Sequence, residues 1–379
     1  MINAQFLFCF IFLFSFFSSP LVFAESDAAR VQGNDIVNCF GGVGTLPNEN
    51  SGLGISVDNS QIKPVTSTVN KPIWTFTVIA GITDSTSNHY GGFENVKNLI
   101  LTQFDTINIR FNSPDVFDGI FQFVVDSIYV FSGNPLNEVM KSHPDQDYRV
   151  IYDGFSTLAG GWLGPPINAI FHLWRVSSFG GTFGSFATDG ITHEFGHSRG
   201  AVDLYAIQVD ANKNPINGQA YQAATSIMTY PYGVRVWDTH SINLINRNAD
   251  TVYVSVNYIT SSFPDSIGVT VIPNYGPPLP NVEIKLFPVR WYSYKVDTIP
   301  AFIDQTDSVG KFIFQSNPFG PNQGGYPWNI KFPNFLVFAK YAGSSEYKWF
   351  PLTDVQNNYF ANPSAPFISN IAMNIPCSA

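Results

Sequence analysis

Two histidines four residues apart, with a glycine and an aspartate at set offsets behind them, constrain this chain more than any other feature. The run is His193-Glu194-Phe195-Gly196-His197-Ser198-Arg199-Gly200-Ala201-Val202-Asp203. On a helix, residues four apart share a face, so His193 and His197 can present their imidazoles to one metal ion. Glu194 lies about 100° further round, where it can reach a water at that ion without touching the ion. Gly200 reads as the helix stop, because glycine adopts the left-handed cap conformation at little cost. The chain then turns back and brings Asp203 in as a third, oxygen ligand. Three protein ligands plus a water is the catalytic arrangement of zinc. Taken singly, each of these residues would read as a surface or satisfied core residue.

A second element lies downstream, Ser226-Ile227-Met228-Thr229-Tyr230. With it the sequence resembles the metzincin clan of zinc endopeptidases, whose pattern is H-E-x-x-H-x-x-G-x-x-H/D followed by a methionine turn. The S-x-M-x-Y form is similar to that of the astacin and serralysin branches, and Asp as third ligand is similar to snapalysin. The resemblance covers about residues 74–248, with its specific residues between 193 and 230. It implies one catalytic Zn²⁺ held by His193, His197 and Asp203, and Glu194 as general base for hydrolysis of a protein or peptide substrate. Met228 becomes an apolar floor under the metal and not a ligand. Tyr230 either binds the metal at rest and then supports the oxyanion, or is simply a packed tyrosine.

Residues 1–24 read as a secretory signal: an apolar run over residues 6–17, Pro20, then small residues ahead of a cleavage point after Ala24. The run is too short for a comfortable membrane span, so the mature protein is expected to be secreted and free of the membrane. Cleavage removes Cys9 and leaves Cys39 and Cys377, which permit one disulfide in an exported chain. An inhibitory thiolate at Cys39 is the competing reading, but its surroundings do not resemble the known switch motif. Residues 25–71 form an irregular extension, either a propeptide or a cover on the catalytic domain.

With a net charge of −9 and no basic cluster, the chain is a poor match for nucleic acid or anionic membrane surfaces. Its 12% charged and 16% aromatic residues, with many Gly and Pro, suit a β-rich secreted protein. The expected fold class is α+β: a metzincin-like domain over residues 72–250, with a twisted mixed sheet and the zinc helix, then an all-β sandwich over 251–379. Strand-like runs fall at residues 74–80, 107–111, 120–131 and 148–152, and helical spacing at 93–104. The zinc helix spans about 187–199, with Ser185 or Thr188 as N-cap, and a closing helix spans 237–246. The stretch at 158–164, with Gly160, Gly161 and Trp162, resembles the edge strand bordering the clan's substrate cleft; a plain glycine-rich loop is the other reading. Tyr232 is read as the wall of a substrate pocket.

The glycine-rich loop at 178–184 lacks the Lys and spacing of a phosphate cradle. Spaced Asp and Asn at 210–218 invite calcium, but they miss the EF-hand offsets and read better as a solvent loop. His89, His143, His172 and His240 lack ligand spacing. Beyond residue 250 short strands and turns alternate, with strands expected at 251–259, 267–273, 282–288, 311–315, 329–340 and 347–352. Leu279-Pro280-Asn281-Val282-Glu283-Ile284 and residues 306–314 resemble carboxypeptidase regulatory-like domains. That module reads as separable, with a ligand that its fold alone does not name. Two other readings stand beside the peptidase: a catalytically silent zinc-binding surface or adhesion protein acting through the sandwich, and a structural surface protein in which H-E-x-x-H is coincidence.

Overall fold

A computed structural model describes residues 71–375, together with 35–37 and 43–45, apart from residues 114, 140, 156–158, 165–166, 173–174, 178–179, 253–256 and 321–329. The signal segment, most of the extension, Cys39 and Cys377 lie outside the described residues, and for Gly160, Gly161 and Trp162 only the backbone is described. Strands β1 (Asp35–Val37) and β2 (Val43–Thr45) form a small antiparallel pair.

The first half is built on a mixed five-stranded sheet. Its first strand β3 (Ile73–Thr83), flanked on both sides in the sheet, alternates buried and part-exposed residues and ends in an unbroken buried run, as a strand covered on both faces must. It leads through the short helix α1 (Asp84–His89) to the long helix α2 (Phe93–Asn112). There Val96, Ile100, Phe104, Ile107 and Phe111 are buried at helical spacing. Residues 107–111, expected as a strand, are therefore the last turns of α2. Five apolar or alternating residues fit either period, and the four-residue gap from Ile107 to Phe111 continues the buried stripe already set upstream.

Strand β4 (Ile120–Phe131) returns parallel to β3, and the short helix α3 (Pro135–Val139) leads to β5 (Tyr148–Tyr152), parallel to β3 on its other side. Strands β6 (Ala159–Gly164) and β7 (Ile167–His172) complete the order β4-β3-β5-β7-β6, with β7 parallel to β5 and β6 antiparallel at the edge. Residues 159–164 of the glycine-rich stretch thus form an edge strand and not a loop, and Leu158 lies outside the described residues. The site helix α4 (Ser185–Ser198) follows, then the helix α5 (Thr239–Arg247), whose N-cap Asp238 accepts from the Ser241 amide. No side-chain cap bonds the start of α4; Gly184 occupies that position in place of Ser185 or Thr188.

The second half holds two sheets. Strands β8 (Ile267–Pro273), β9 (Glu283–Val289), β10 (Phe302–Gln305), β11 (Lys311–Ile313), β12 (Asn334–Tyr341), β13 (Ser344–Pro351) and β14 (Phe367–Met373) divide into a four-stranded order β10-β9-β12-β13 and a three-stranded order β11-β8-β14. Two departures from an all-β reading occur. Helix α6 (Asn257–Ser261) ends the stretch expected as a strand at 251–259, and helix α7 (Leu352–Ala361) links β13 to β14. In α7, Leu352, Val355 and Gln356 are buried at helical spacing directly behind Pro351, which stands at the N-cap position with extended backbone and makes no side-chain capping bond.

The two halves share one apolar cluster that includes Phe76, Phe195, Leu244, Ile259, Leu352 and Met373. Polar bonds cross with it: His240 Nε2 lies 2.8 Å from Gln356 Oε1, and Asn334 Nδ2 donates to the Ile207 carbonyl at 3.2 Å.

Candidate metal centre

Helix α4 is buried along most of its length, and its two faces differ in chemistry. Ala187, Ile191 and Phe195, four apart, are all fully buried. Phe195 stacks on Phe123 with ring centroids 4.0 Å apart and meets Phe104 and Tyr148 edge-on, so this face is pinned to the sheet and to α2. Asp189, His193 and His197, also four apart, form the polar face.

The helix ends as its sequence requires. Gly200 sits at φ 97°, its amide donates to the His197 carbonyl at 2.9 Å, and the Ala201 amide donates to the Gly196 carbonyl at 3.0 Å. That reversed pair of bonds is a Schellman cap. Arg199, fully buried, holds the same end from below: its guanidinium lies 4.2 Å from the centre of the Phe76 ring and donates to Tyr148 Oη and, at 2.6 Å, to the Thr251 carbonyl. The turn delivers Asp203 at the start of a short 3-10 helix, Leu204–Ile207, whose first amide bonds the Met228 carbonyl at 3.0 Å.

His193, His197 and Asp203 meet there, with one ligand atom from each within 4.8 Å of the others. His193 Nδ1 lies 2.8 Å from the Ile227 carbonyl and His197 Nδ1 lies 2.8 Å from the Ala201 carbonyl. A carbonyl only accepts, so each Nδ1 carries a proton and donates it. Both Nε2 atoms then turn inward, 3.1 Å and 3.0 Å from Asp203 Oδ1. That oxygen is buried and makes no hydrogen bond of good geometry. Two imidazole lone pairs and a carboxylate oxygen facing one point repel each other unless a cation lies among them.

The nearby carboxylate also favours a proton at that point. Burial lowers the pKa of His197, but the Asp203 carboxylate more than reverses this, with help from Glu194, and holds it up at about 9. Asp203 is correspondingly kept well below the usual carboxylate range: burial pushes it up, and the two imidazoles outweigh burial. The same donor set, two neutral imidazoles and a carboxylate in a buried cup, fits a divalent metal ion. Carbonyls on both Nδ1 atoms are the outer partners that fix a metal-binding histidine's tautomer and orientation.

Glu194 is buried beside His193 at 2% exposure. Met228 is fully buried, in a tight turn held by Ser226, whose hydroxyl accepts from the Met228 amide at 3.1 Å and whose carbonyl accepts from Tyr230 at 3.0 Å. Among the described residues the Tyr230 hydroxyl makes no hydrogen bond; its ring meets Tyr232 edge-on at 5.4 Å. Tyr232 is mostly buried between Tyr230 and Phe186. Residues 210–218 form a turn centred on Asn214, whose side chain bonds Asn217 and the Gln219 carbonyl. The only group of metal-ligating side chains found among the described residues is the one at His193.

Two partners of the site are absent from any local motif. Asp189 lies one turn before His193, pairs with Arg110 at 2.7 Å and accepts from the Gly233 amide at 2.9 Å, tying α4 to the segment behind the methionine turn. Its place in the four-residue stripe was a usable signal. The other is Tyr292, from the second half, whose hydroxyl donates to Asp203 Oδ2 at 2.7 Å.

No family model matches the sequence, and no curated protein does. Among solved structures the chain is similar to a chaperone–substrate complex, with a TM-score of 0.31 and 15% identity over 49% of this chain and 36% of that one. It is also similar to catechol 1,2-dioxygenase from Acinetobacter, with a TM-score of 0.17 and 15% identity over 29% of this chain and 52% of that one. A third is 3-chlorocatechol 1,2-dioxygenase from Rhodococcus opacus, with a TM-score of 0.17 and 16% identity over 29% and 59%. The chain thus spans only 36% to 59% of the lengths of these structures, and likenesses this slight bear on neither fold nor chemistry.

Proposed function

We propose that this chain is a secreted, metzincin-like zinc endopeptidase that hydrolyses peptide bonds at the His193, His197 and Asp203 cluster. The observation that carries the reading is the convergence of two Nε2 atoms and Asp203 Oδ1 on one buried point, with Glu194 beside them. The mixed sheet with an antiparallel edge strand, the glycine-ended helix and the buried methionine turn agree with it.

When bound, the metal supplies Lewis acidity: it makes a water nucleophilic near neutral pH and polarises the scissile carbonyl. His193 and His197 would hold it through Nε2 and Asp203 through Oδ1. The Glu194 carboxylate takes the proton of the attacking water and passes it to the leaving amine nitrogen. Strand β6 ends the sheet order with one unpaired edge among the described residues, and an extended peptide can add there by main-chain hydrogen bonds.

Metal analysis of the purified protein, combined with cleavage of a generic unfolded protein, tests the reading. One zinc per chain and chelator-sensitive cleavage are expected. Zinc without cleavage would leave a silent zinc-binding surface protein, and absence of zinc would reduce H-E-x-x-H to coincidence.

A further inference from the structure

The second half of the chain reaches into the cluster through one loop. Between β9 and β10, residues 290–296 turn back over the 3-10 helix that begins after Asp203. Three main-chain bonds seat the loop: Tyr292 N to the Ala206 carbonyl at 2.8 Å, Asp210 N to the Tyr294 carbonyl at 3.1 Å, and Val296 N to the Lys213 carbonyl at 3.2 Å. Trp291 Nε1 donates to the Ile330 carbonyl at 3.0 Å, and the Tyr292 ring packs against Tyr205 at 5.9 Å.

The loop is held against its own preference. Tyr292 and Tyr294 adopt φ of 57° and 53°, the left-handed region that side-chain-bearing residues avoid. Such conformations persist where surrounding contacts over-determine them, and they cluster at functional sites. Here they aim the Tyr292 hydroxyl at Asp203 Oδ2, 2.7 Å away.

We propose that Tyr292 is a positioning residue of the metal centre, so that the centre is completed by the second half of the chain. Its O–H donates to Asp203 Oδ2 and occupies that oxygen, which leaves Oδ1 alone turned to His193 and His197. The carboxylate is thereby fixed as a one-oxygen ligand. The inference rests on the metal-binding reading above. It is a role for a residue far outside the motif and comes from its contact with Asp203 alone.

The test is zinc affinity, measured by competition with a chromogenic chelator, for wild type, Tyr292→Phe, Asp203→Asn and the double variant. Phe keeps the ring and the packing on Tyr205 and removes only the donated proton. Outer partners of this kind are worth about 10–100-fold in affinity, and a loss of that size is expected for Tyr292→Phe. The visible spectrum of the Co²⁺-substituted protein is expected to change, because a freed Oδ2 alters the ligand field. If Tyr292 acts through Asp203, its removal adds much less in the Asp203→Asn background than alone. A Tyr292→Phe protein with the zinc affinity and cobalt spectrum of wild type overturns the role, as does an equal loss in both backgrounds. Failure of wild type itself to take up zinc overturns the metal reading instead, and the role with it. Circular dichroism of each variant separates loss of a ligand partner from loss of the fold, and a Tyr292→Leu variant, which also lacks any donor at that place, is expected to lose zinc affinity at least as much as Phe.

Discussion

The sulfur of Met228 lies 2.7 Å from the point that a Cβ on Gly196 would occupy, and the Trp237 ring lies 3.0 Å from it. A glycine inside a helix is normally a cost of about 1 kcal/mol relative to alanine. Here the missing side chain lets the methionine turn press against the metal helix between its two histidines. Gly190, in the same helix, has nothing within 4 Å of the equivalent point.

The two glycines should therefore respond with opposite sign. Gly190→Ala is expected to stabilise the protein by about 0.5–1 kcal/mol through helix propensity. Gly196→Ala is expected to destabilise it by about 1–3 kcal/mol, because Met228 and Trp237 must both move. Denaturant melts of the two variants decide the matter, and equal shifts would mean that the Met228 contact is slack.

Glu194→Gln should retain zinc and lose hydrolysis by about 10²–10⁴-fold, since the residue takes a proton and binds no metal. Zinc content and single-turnover cleavage, measured on the same preparation, check this. Loss of zinc in step with activity would make Glu194 a ligand.

Asp203→Ala should lose more zinc affinity than the roughly 10–100-fold that an outer partner is worth, because it removes a ligand atom. Asp203→His is expected to recover part of the loss, with an imidazole in place of the carboxylate after the same glycine turn. A zinc titration showing wild-type affinity in Asp203→Ala would leave Asp203 a buried structural carboxylate.

The change of sequence texture near residue 250 suggests a truncation there, for example after Asn248. In the fold that cut strips Ile259, Leu352 and Val355 from the cluster that holds Leu244 and Ile245, and removes Gln356 from His240. The fragment should be insoluble, or should bind zinc more weakly than the full chain. Gel filtration and a zinc titration on the fragment read this out, and a soluble monomer with full affinity would show the halves to be independent.

Stability should fall as the solution is acidified from about pH 6.5 to about 4. Burial holds the folded-state pKa of His172 down at about 4, with its ring against Tyr152 and Nε2 on the Thr182 carbonyl. Its unfolded value is about 6.5. Over that window the unfolded chain binds the extra proton, so stability rises with pH and is lost going down. The span corresponds to roughly 3 kcal/mol at most. Buried His143 and His240 are shifted in the same direction, so His172→Gln should flatten the slope and not abolish it. Urea melts at several pH values give the difference between the two curves, and identical slopes would show that His172 does not titrate in this range.

What the sequence determined by itself is what short-range geometry controls. His193, Glu194 and His197 were legible because helical spacing alone places them, and Gly200 because a positive φ at a helix end calls for glycine. The strands at Ile120–Phe131, Tyr148–Tyr152 and Ile267–Pro273 were equally plain from alternation or apolar runs between turns. Residues 107–111 were not, since five residues satisfy either period and only packing against the sheet chose the helix. Helix α7 and strands β10 and β14 were missed for related reasons: β14 pairs with β8 far back in the chain, the buried face of α7 is set by tertiary packing, and β10 is mostly exposed and shows no apolar alternation. The tertiary structure alone decided which oxygen of Asp203 faces the histidines, because the donor that occupies the other oxygen, Tyr292, lies 89 residues along the chain. A hydrogen bond between residues so far apart leaves no periodicity or spacing behind; it exists only once two halves of the chain have packed around one core.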